Sequence, residues 1–330
     1  MIEKMFSRVG FRILLAISKR PYEEYYLNKL SKELGVGLGR TSELLQQFER
    51  NRLLTRRSDG NRIVYRLNKN NPFTFRLIEL SNMDRLFSLP ERFRTSVSRL
   101  KDTYKEILRD NLVSVVVFGS VSKGSATKWS DIDILVIVEQ EVQKQTADEL
   151  KEAEHEISDV FSEMSQVFLQ TKKQFTDNYE IGDDFLINIM QDGIVVFDKD
   201  SFFAYYLLNG IPQVTKKSIR MRLRFADERL KEAREMYRKF PDSSPSFLST
   251  IAIHLCRAVL LLNNIIPGSK HDIPSQLRQI GETKLSSAYK VTRKWWDEGV
   301  LDVTRPEIEK VLNLFEQKYK EASKRLEDWK

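Results

Sequence analysis

The chain has 330 residues, 41% hydrophobic and 31% charged, enough for two or three domains each with its own core. Its one cysteine, Cys256, lies in an apolar helical stretch, which excludes a disulfide framework, and apolar runs such as Ala258–Leu262 are far shorter than a membrane span. The formal charge of +7 is uneven: residues 1–71 hold 15 Lys and Arg against 7 Asp and Glu, a balance of +8, and the remainder hold 39 against 40.

A basic block of that size predicts a polyanionic partner. The opening MIEKMFSRVGF has no continuous apolar core of the signal-peptide kind, so a cytoplasmic protein with no membrane association is expected. Within residues 1–71 an amphipathic helix is predicted over Phe11–Ser18. A second, Tyr26–Leu34, carries Leu27, Leu30 and Leu34 at helical spacing and is stopped by Gly35. After the turn Val36–Gly39 a third runs from about Arg40 to Asn51, with Thr41, Leu44, Leu45 and Phe48 on its apolar side. Two strand-like runs, Leu53–Arg57 and Arg62–Leu67, then flank the turn Ser58–Asn61.

Three helices followed by a β-hairpin resemble the winged-helix family, whose third helix commonly enters the major groove. The resemblance implies double-stranded DNA as a partner. Arg40, Ser42, Glu43, Gln46 and Arg50 would meet it from the third helix, and Arg56, Arg57 and Arg62, with Arg66 beside them, from the wing. Winged helices that bind protein are the alternative. Because paired half-sites multiply specificity, a homodimer is the expected assembly.

Residues 72–112 read as connecting helices, punctuated by Pro72 and Pro90, with an amphipathic pattern over Phe93–Leu108. Residues 113–200 open on the most informative stretch of the chain, Val115–Val138, VVVFGSVSKGSATKWSDIDILVIV. An apolar strand ends in Gly119-Ser120, and a second strand carries Asp131 and Asp133. Strand side chains alternate, so both carboxylates point to one face while Ile132 and Ile134 enter the core. Two carboxylates that close call for a cation, and Mg²⁺, with Mn²⁺ as an alternative, suits hard oxygen ligands and phosphates. The Gly-Ser turn offers N–H groups and a hydroxyl to a phosphate tail.

This pattern resembles the polymerase-beta-like nucleotidyltransferases, in particular their minimal branch, at Phe118, Gly119, Ser120, Gly124, Ser130, Asp131, Ile132, Asp133 and Leu135. The resemblance implies an NTP, with ATP expected, bound by Gly119, Ser120, Lys123 and Ser130, and Asp131 and Asp133 as catalytic metal ligands. Active members usually add a third carboxylate from the strand after the next helix. Here that helix is expected at about Gln143–Ser162 and the strand at Met164–Leu169, which holds no acid; Glu163 and Asp192 are the candidate substitutes.

Residues 201–330 read as wholly helical, with apolar periodicity over Arg222–Arg238, Phe247–Asn263, Ile273–Ile280 and Pro306–Trp329. This part resembles the HEPN family in position and pattern. The nuclease motif of that family, Arg then His with four to six residues between them, is missing at His155, His254 and His271, which argues against ribonuclease activity. His254 is expected in the bundle and His271 in a turn, while Arg220, Arg222 and Arg224, next to Lys216 and Lys217, read as a solvated helix face, with contact to a nucleotide tail or nucleic acid as the alternative.

The expectation is an α+β multidomain protein: winged helix (1–71), connecting helices (72–112), a small mixed-sheet nucleotidyltransferase domain (113–200), and an all-α HEPN-like bundle (201–330). Its expected activity is transfer of a nucleoside monophosphate, AMP above all, to a hydroxyl on a protein, an RNA or a small molecule. The alternative is a transcriptional regulator that uses an impaired nucleotidyltransferase domain as a nucleotide sensor.

Overall fold

In the computed structural model, which describes residues 7–128, 130–161, 165–240, 245–300 and 303–329, the Ser7 hydroxyl accepts the Gly10 N–H and so opens helix α1 (Arg8–Lys19). Strand β1 (Tyr25–Tyr26) leads into α2 (Leu27–Leu34), which Gly35 closes at φ 63. Helix α3 (Leu38–Arg50) begins two residues earlier than its periodicity suggests and buries Thr41, Leu44, Leu45 and Phe48, the side expected. Strands β2 (Leu54–Asp59) and β3 (Arg62–Leu67) pair antiparallel around Gly60-Asn61, where Gly60 supplies φ +56. The three strands form one sheet in the order β1-β3-β2. Ile13, Ile17, Leu30, Leu44, Phe48 and Leu54 fill the core beneath it.

Helices α4 (Phe73–Phe87) and α5 (Glu91–Leu108) follow. A second sheet is built from β4 (Leu112–Phe118), β5 (Ile132–Val138), β6 (Ser165–Thr171) and β7 (Ile194–Asp198), in the order β6-β5-β4-β7. It is mixed: β4 is antiparallel to both β5 and β7, and β5 is parallel to β6. The parallel pair needs a long crossover, supplied by α7 (Lys144–Phe161). Ile132, Ile134, Val136 and Val138 enter a core shared with Val97, Leu100 and Tyr104 of α5, while Leu135 and Ile137 are buried on the other face. A strand buried on both sides stabilises the domain by roughly 1.5–3 kcal/mol per large apolar side chain, which makes β5 a rigid mount for Asp133.

Helices α8 (Lys172–Ile181), α9 (Asp184–Asp192) and α10 (Phe202–Asn209) surround the last strand in sequence. The chain divides into two compact units, Met1–Asp177 with Ile189–Ile211, and Asn178–Asn188 with Pro212–Lys330. The second unit is helical: α11 (Lys216–Lys239), α12 (Leu248–Leu262), α13 (Ile273–Gln279), α14 (Thr283–Asp297) and α15 (Arg305–Asp328). Its core runs from Leu223 and Leu230 through Leu255, Cys256 and Leu285 to Phe315. The segment Pro245–Leu262 has the length and apolarity of a membrane span, although its longest unbroken apolar run is short; two-thirds of it is buried among the other helices.

One expectation on this unit is overturned. Arg222 is no solvated residue: its side chain is 11% exposed and its guanidinium donates to Asp184 at 2.7 Å and Asp183 at 2.9 Å. Arg257 donates to the other Asp184 oxygen at 2.6 Å. Burial pushes the Asp184 carboxyl up, but Arg257 and Arg222 outweigh it and hold the pKa below the usual value. His254 is half-buried with its ring 5.2 Å from that of Phe225, and its Nδ1 has no hydrogen-bond partner among the described residues. Burial, reinforced by Arg222 and Arg257, lowers its pKa to about 4. His271 lies in an exposed turn.

Candidate functional site

Strand β4 ends at Phe118, which pairs with Asp133 of β5, and the chain turns at once into the five-residue helix α6 (Gly119–Lys123). Gly119 has φ +74, and a Cβ on it would lie 2.0 Å from Asp133 Oδ2. Only glycine lets the turn close over that carboxylate. The phosphate-turn candidate and the metal-ligand candidate therefore occupy one spot. Ser120, next in the turn, is half-buried, and its carbonyl accepts the Ser125 N–H at 3.0 Å. Gly124, at φ +70, ends α6.

The loop to β5 is pinned twice. The Ser130 hydroxyl accepts the Thr127 N–H at 2.9 Å, and the Arg92 guanidinium of α5 donates to the Thr127 carbonyl at 2.8 Å. Ser130 thus braces the loop before the aspartates. Asp131 is exposed and stands one residue ahead of β5, where an in-strand position was expected; Asp133 is half-buried within the strand, behind the fully buried Ile132.

On β6 the residue paired with Asp133 is Gln166, exposed and uncharged. Parallel partners share a face, so Gln166 takes the place beside Asp133 where a third acid would help most. Glu163 lies outside the described residues. Asp192 is engaged elsewhere, 3.5 Å from the Lys123 ammonium. The carbonyls of Asp192 and Gly193 each accept from Arg85 at 2.6 Å, and Tyr22 donates to the Gln191 carbonyl at 3.4 Å. Burial lowers the Arg85 pKa, with Asp192 opposing. Lys123, Arg85 and Lys19 line a cavity of about 350 Å³.

Among the described residues no group of three or more His, Cys, Asp or Glu side chains gathers to hold a metal. Two carboxylates, one exposed and one on a rigid strand, nevertheless fit Mg²⁺, which keeps several waters and takes phosphate oxygens as its other ligands.

The residues expected to meet DNA lie on an exposed surface, in part neutralised by neighbours. Arg40 pairs with Glu43 at 2.6 Å, Gln46 donates to the Ser42 hydroxyl at 3.2 Å, and Arg50 Nε reaches the Gln46 carbonyl at 3.4 Å. Arg56 lies 3.7 Å from Glu49; Arg57 Nε donates to Glu24 at 3.1 Å, and Arg66 lies 3.7 Å from the same carboxylate. Arg62 sits over the Tyr26 ring at 5.9 Å. The role of Glu24 as counter-ion to Arg57 and Arg66 of the β2–β3 hairpin had no local sequence signal, since the pairing of β1 with β3 is what brings the segments together.

No curated protein matches the chain. Among solved structures, the spectinomycin adenyltransferase AAD(9) from Enterococcus faecialis, with ATP and spectinomycin, is similar at 13% identity and a TM-score of 0.43, covering 68% of this chain and 98% of its own. A toxin–antitoxin complex with AMP-PNP and the mutant toxin–antitoxin MntA-HpeT are each similar at 18% identity and a TM-score of 0.24, over 41% of this chain and 97% of theirs. The family model that matches is the nucleotidyltransferase domain, over residues 97–232, a span that runs from α5 through the Gly-Ser turn and both aspartates into α11, so that the chain carries a nucleotidyltransferase domain.

Proposed function

We infer that the chain binds an NTP with Mg²⁺ at Gly119, Ser120, Asp131 and Asp133 and transfers the nucleoside monophosphate, AMP in the expected case, to an acceptor hydroxyl. The observation that carries this reading is the seating of Gly119 on the Asp133 carboxylate, which leaves room for no side chain. The N–H groups and hydroxyl of the turn would hold the β- and γ-phosphates, with Lys123 adding positive charge once it leaves Asp192. Asp131 and Asp133 would hold Mg²⁺, which when bound neutralises charge on the triphosphate. In the transfer the acceptor oxygen bonds to the α-phosphorus, the bond from that phosphorus to the β-bridging oxygen breaks, and pyrophosphate leaves. The hydroxyl proton passes to solvent, because the amide of Gln166 takes none.

The second reading, a nucleotide sensor that turns nothing over, is favoured by that same Gln166 beside Asp133. In either case residues 1–71 are proposed to bind double-stranded DNA through Arg40, Ser42, Glu43, Gln46 and Arg50 and through Arg56, Arg57 and Arg62. Residues 113–200 are the proposed catalytic domain, joined by 72–112, and 201–330 the HEPN-like bundle. The test is incubation with α-labelled ATP, GTP, CTP and UTP in Mg²⁺, beside Asp131→Asn/Asp133→Asn, with lysate protein, RNA and the chain itself as acceptors. Label that appears only with the wild type establishes transfer and its acceptor class. Absence of label, with Mg²⁺-dependent nucleotide binding that the variant loses, establishes the sensor.

A further inference from the structure

Helix α4 is apolar on two sides. Its inner side buries Thr74, Leu77, Ile78, Ser81 and Asn82. Its outer side leaves Phe73 61%, Leu80 38%, Met83 46% and Phe87 62% exposed. With Arg76 between the first two, these positions follow a three-four-three-four spacing, the seam by which one helix packs along another. Scattered surface apolar residues need no explanation, but four large ones in register on a single helix do. The seam borders a groove of about 800 Å³ between α4, α5 and β7, with Met83, Phe87 and Phe197 on its apolar side and Arg94 and Arg99 on its rim.

We propose that this seam is a homodimer interface, in which α4 of a second copy lies antiparallel across it about a two-fold axis at Leu80. Two of its pairs are complementary in that arrangement, while Met83 falls opposite Leu77, which is buried on the inner side. Positions equidistant from Leu80 face each other, so Arg76 meets the partner's Asp84 and Phe73 meets the partner's Phe87. Isologous contacts of this kind close after two subunits. Arg76 is paired with Glu79 at 2.9 Å, with side chains 76% and 57% exposed, a pair easily exchanged. Taking roughly 200 Å² of surface per large side chain, the four exposed fractions amount to about 400 Å² of apolar area per copy, about half of what a standard interface buries on each partner. The charged flank and the groove supply the rest. The proposal is independent of the transfer chemistry and of the identity of the nucleotide.

Sedimentation of the full-length chain over a range of concentrations reads the assembly, and cross-linking reads its geometry. Cys256 is fully buried, so an introduced cysteine acts on a silent background. The wild type is expected to be dimeric. Leu80→Asp/Met83→Asp is expected to be monomeric at every concentration with its circular-dichroism spectrum unchanged, because each side chain is partly exposed on the outer side and dissociation itself lowers the melting temperature. Leu80→Cys should form a disulfide-linked dimer on mild oxidation, whereas Ser287→Cys, exposed in the second unit, should not. Arg76→Asp and Asp84→Arg should each weaken association about tenfold, and the double exchange should recover most of it. A chain that stays monomeric overturns the proposal and leaves the seam to a different protein. So does a dimer that survives Leu80→Asp/Met83→Asp, or a double exchange no better than its single parents.

Discussion

Replacing Gly119 by alanine places a methyl carbon 2.0 Å from Asp133 Oδ2 and asks an L-residue to hold φ +74. The backbone strain alone costs about 1–2 kcal/mol, and the clash forces the turn off the carboxylate. Nucleotide affinity should therefore fall at least tenfold while the melting temperature drops by only a few degrees; calorimetric titration beside thermal unfolding separates the two. A variant that binds as tightly as wild type would detach the turn from the nucleotide. The opposite experiment is Gln166→Asp. It adds a carboxylate beside Asp133 where Gln166 offers no proton acceptor, so under the proposed transfer label should rise, by about 10²-fold where proton removal limits the rate. The Gly-Ser turn and the aspartates were legible in the sequence because they lie within one short stretch whose alternation is local. That Gln166 is the residue beside Asp133 was not, because a parallel register is fixed only by the crossover through α7.

At the scale of elements, the second unit is tied together by charges that periodicity does not reveal. Helical spacing gave the apolar side of α11 and α12, but it scored Arg222 as surface, because a partner on the far side of a bend in the chain leaves no mark on the helix itself. The adjacent pair Asp183-Asp184 at the start of α9 was the available signal. Asp184→Asn leaves Arg222 and Arg257 buried without their shared anion and should cost about 3–5 kcal/mol, measurable by denaturant unfolding. The sign of the pH dependence follows from the same groups. Asp184 titrates below its ordinary value, so its contribution is complete above about pH 4 and lost as pH falls through the folded value. His254 acts over a different window. Arg222 and Arg229 of α11, Arg257 beside it on α12 and Asp184 of α9 surround it, and burial with the cations keeps it neutral down to about 4. The unfolded chain takes up that proton near 6.5, so stability should decline from there towards pH 4 and be indifferent to His254 above it. His254→Gln should flatten that decline, and thermal melts between pH 7 and 4 measure it. An unchanged slope would show that other groups govern acid unfolding.

For the whole molecule, the charge distribution links the ends of the argument. The surplus of +8 lies in residues 1–71, and the remaining residues balance at −1, so any long-range attraction to a polyanion acts on the N-terminal region. Composition made this plain, yet the arginines that carry it are not idle: Glu49 holds Arg56, and Glu24 holds Arg57 and Arg66. A DNA backbone must displace those carboxylates, which lowers the net gain per contact but leaves the release of counter-ions from the phosphates intact. Each phosphate neutralised contributes about −0.9 to the slope of log K against log salt. Substituting alanine for Arg56, Arg57 and Arg62 together should therefore make that slope shallower by about 2–3, with affinity lost at low salt and little difference at high salt. Substituting Gln46 and Arg50, on the exposed side of α3, should leave the slope nearly as it was for Gln46 and shift sequence preference instead. Glu24→Gln supplies the converse: with its counter-ion gone, the β2–β3 hairpin is freer to meet phosphate, and affinity should rise. Binding with no dependence on salt, or with no loss in the triple variant, would remove nucleic acid from the account and assign the basic surface to an acidic protein.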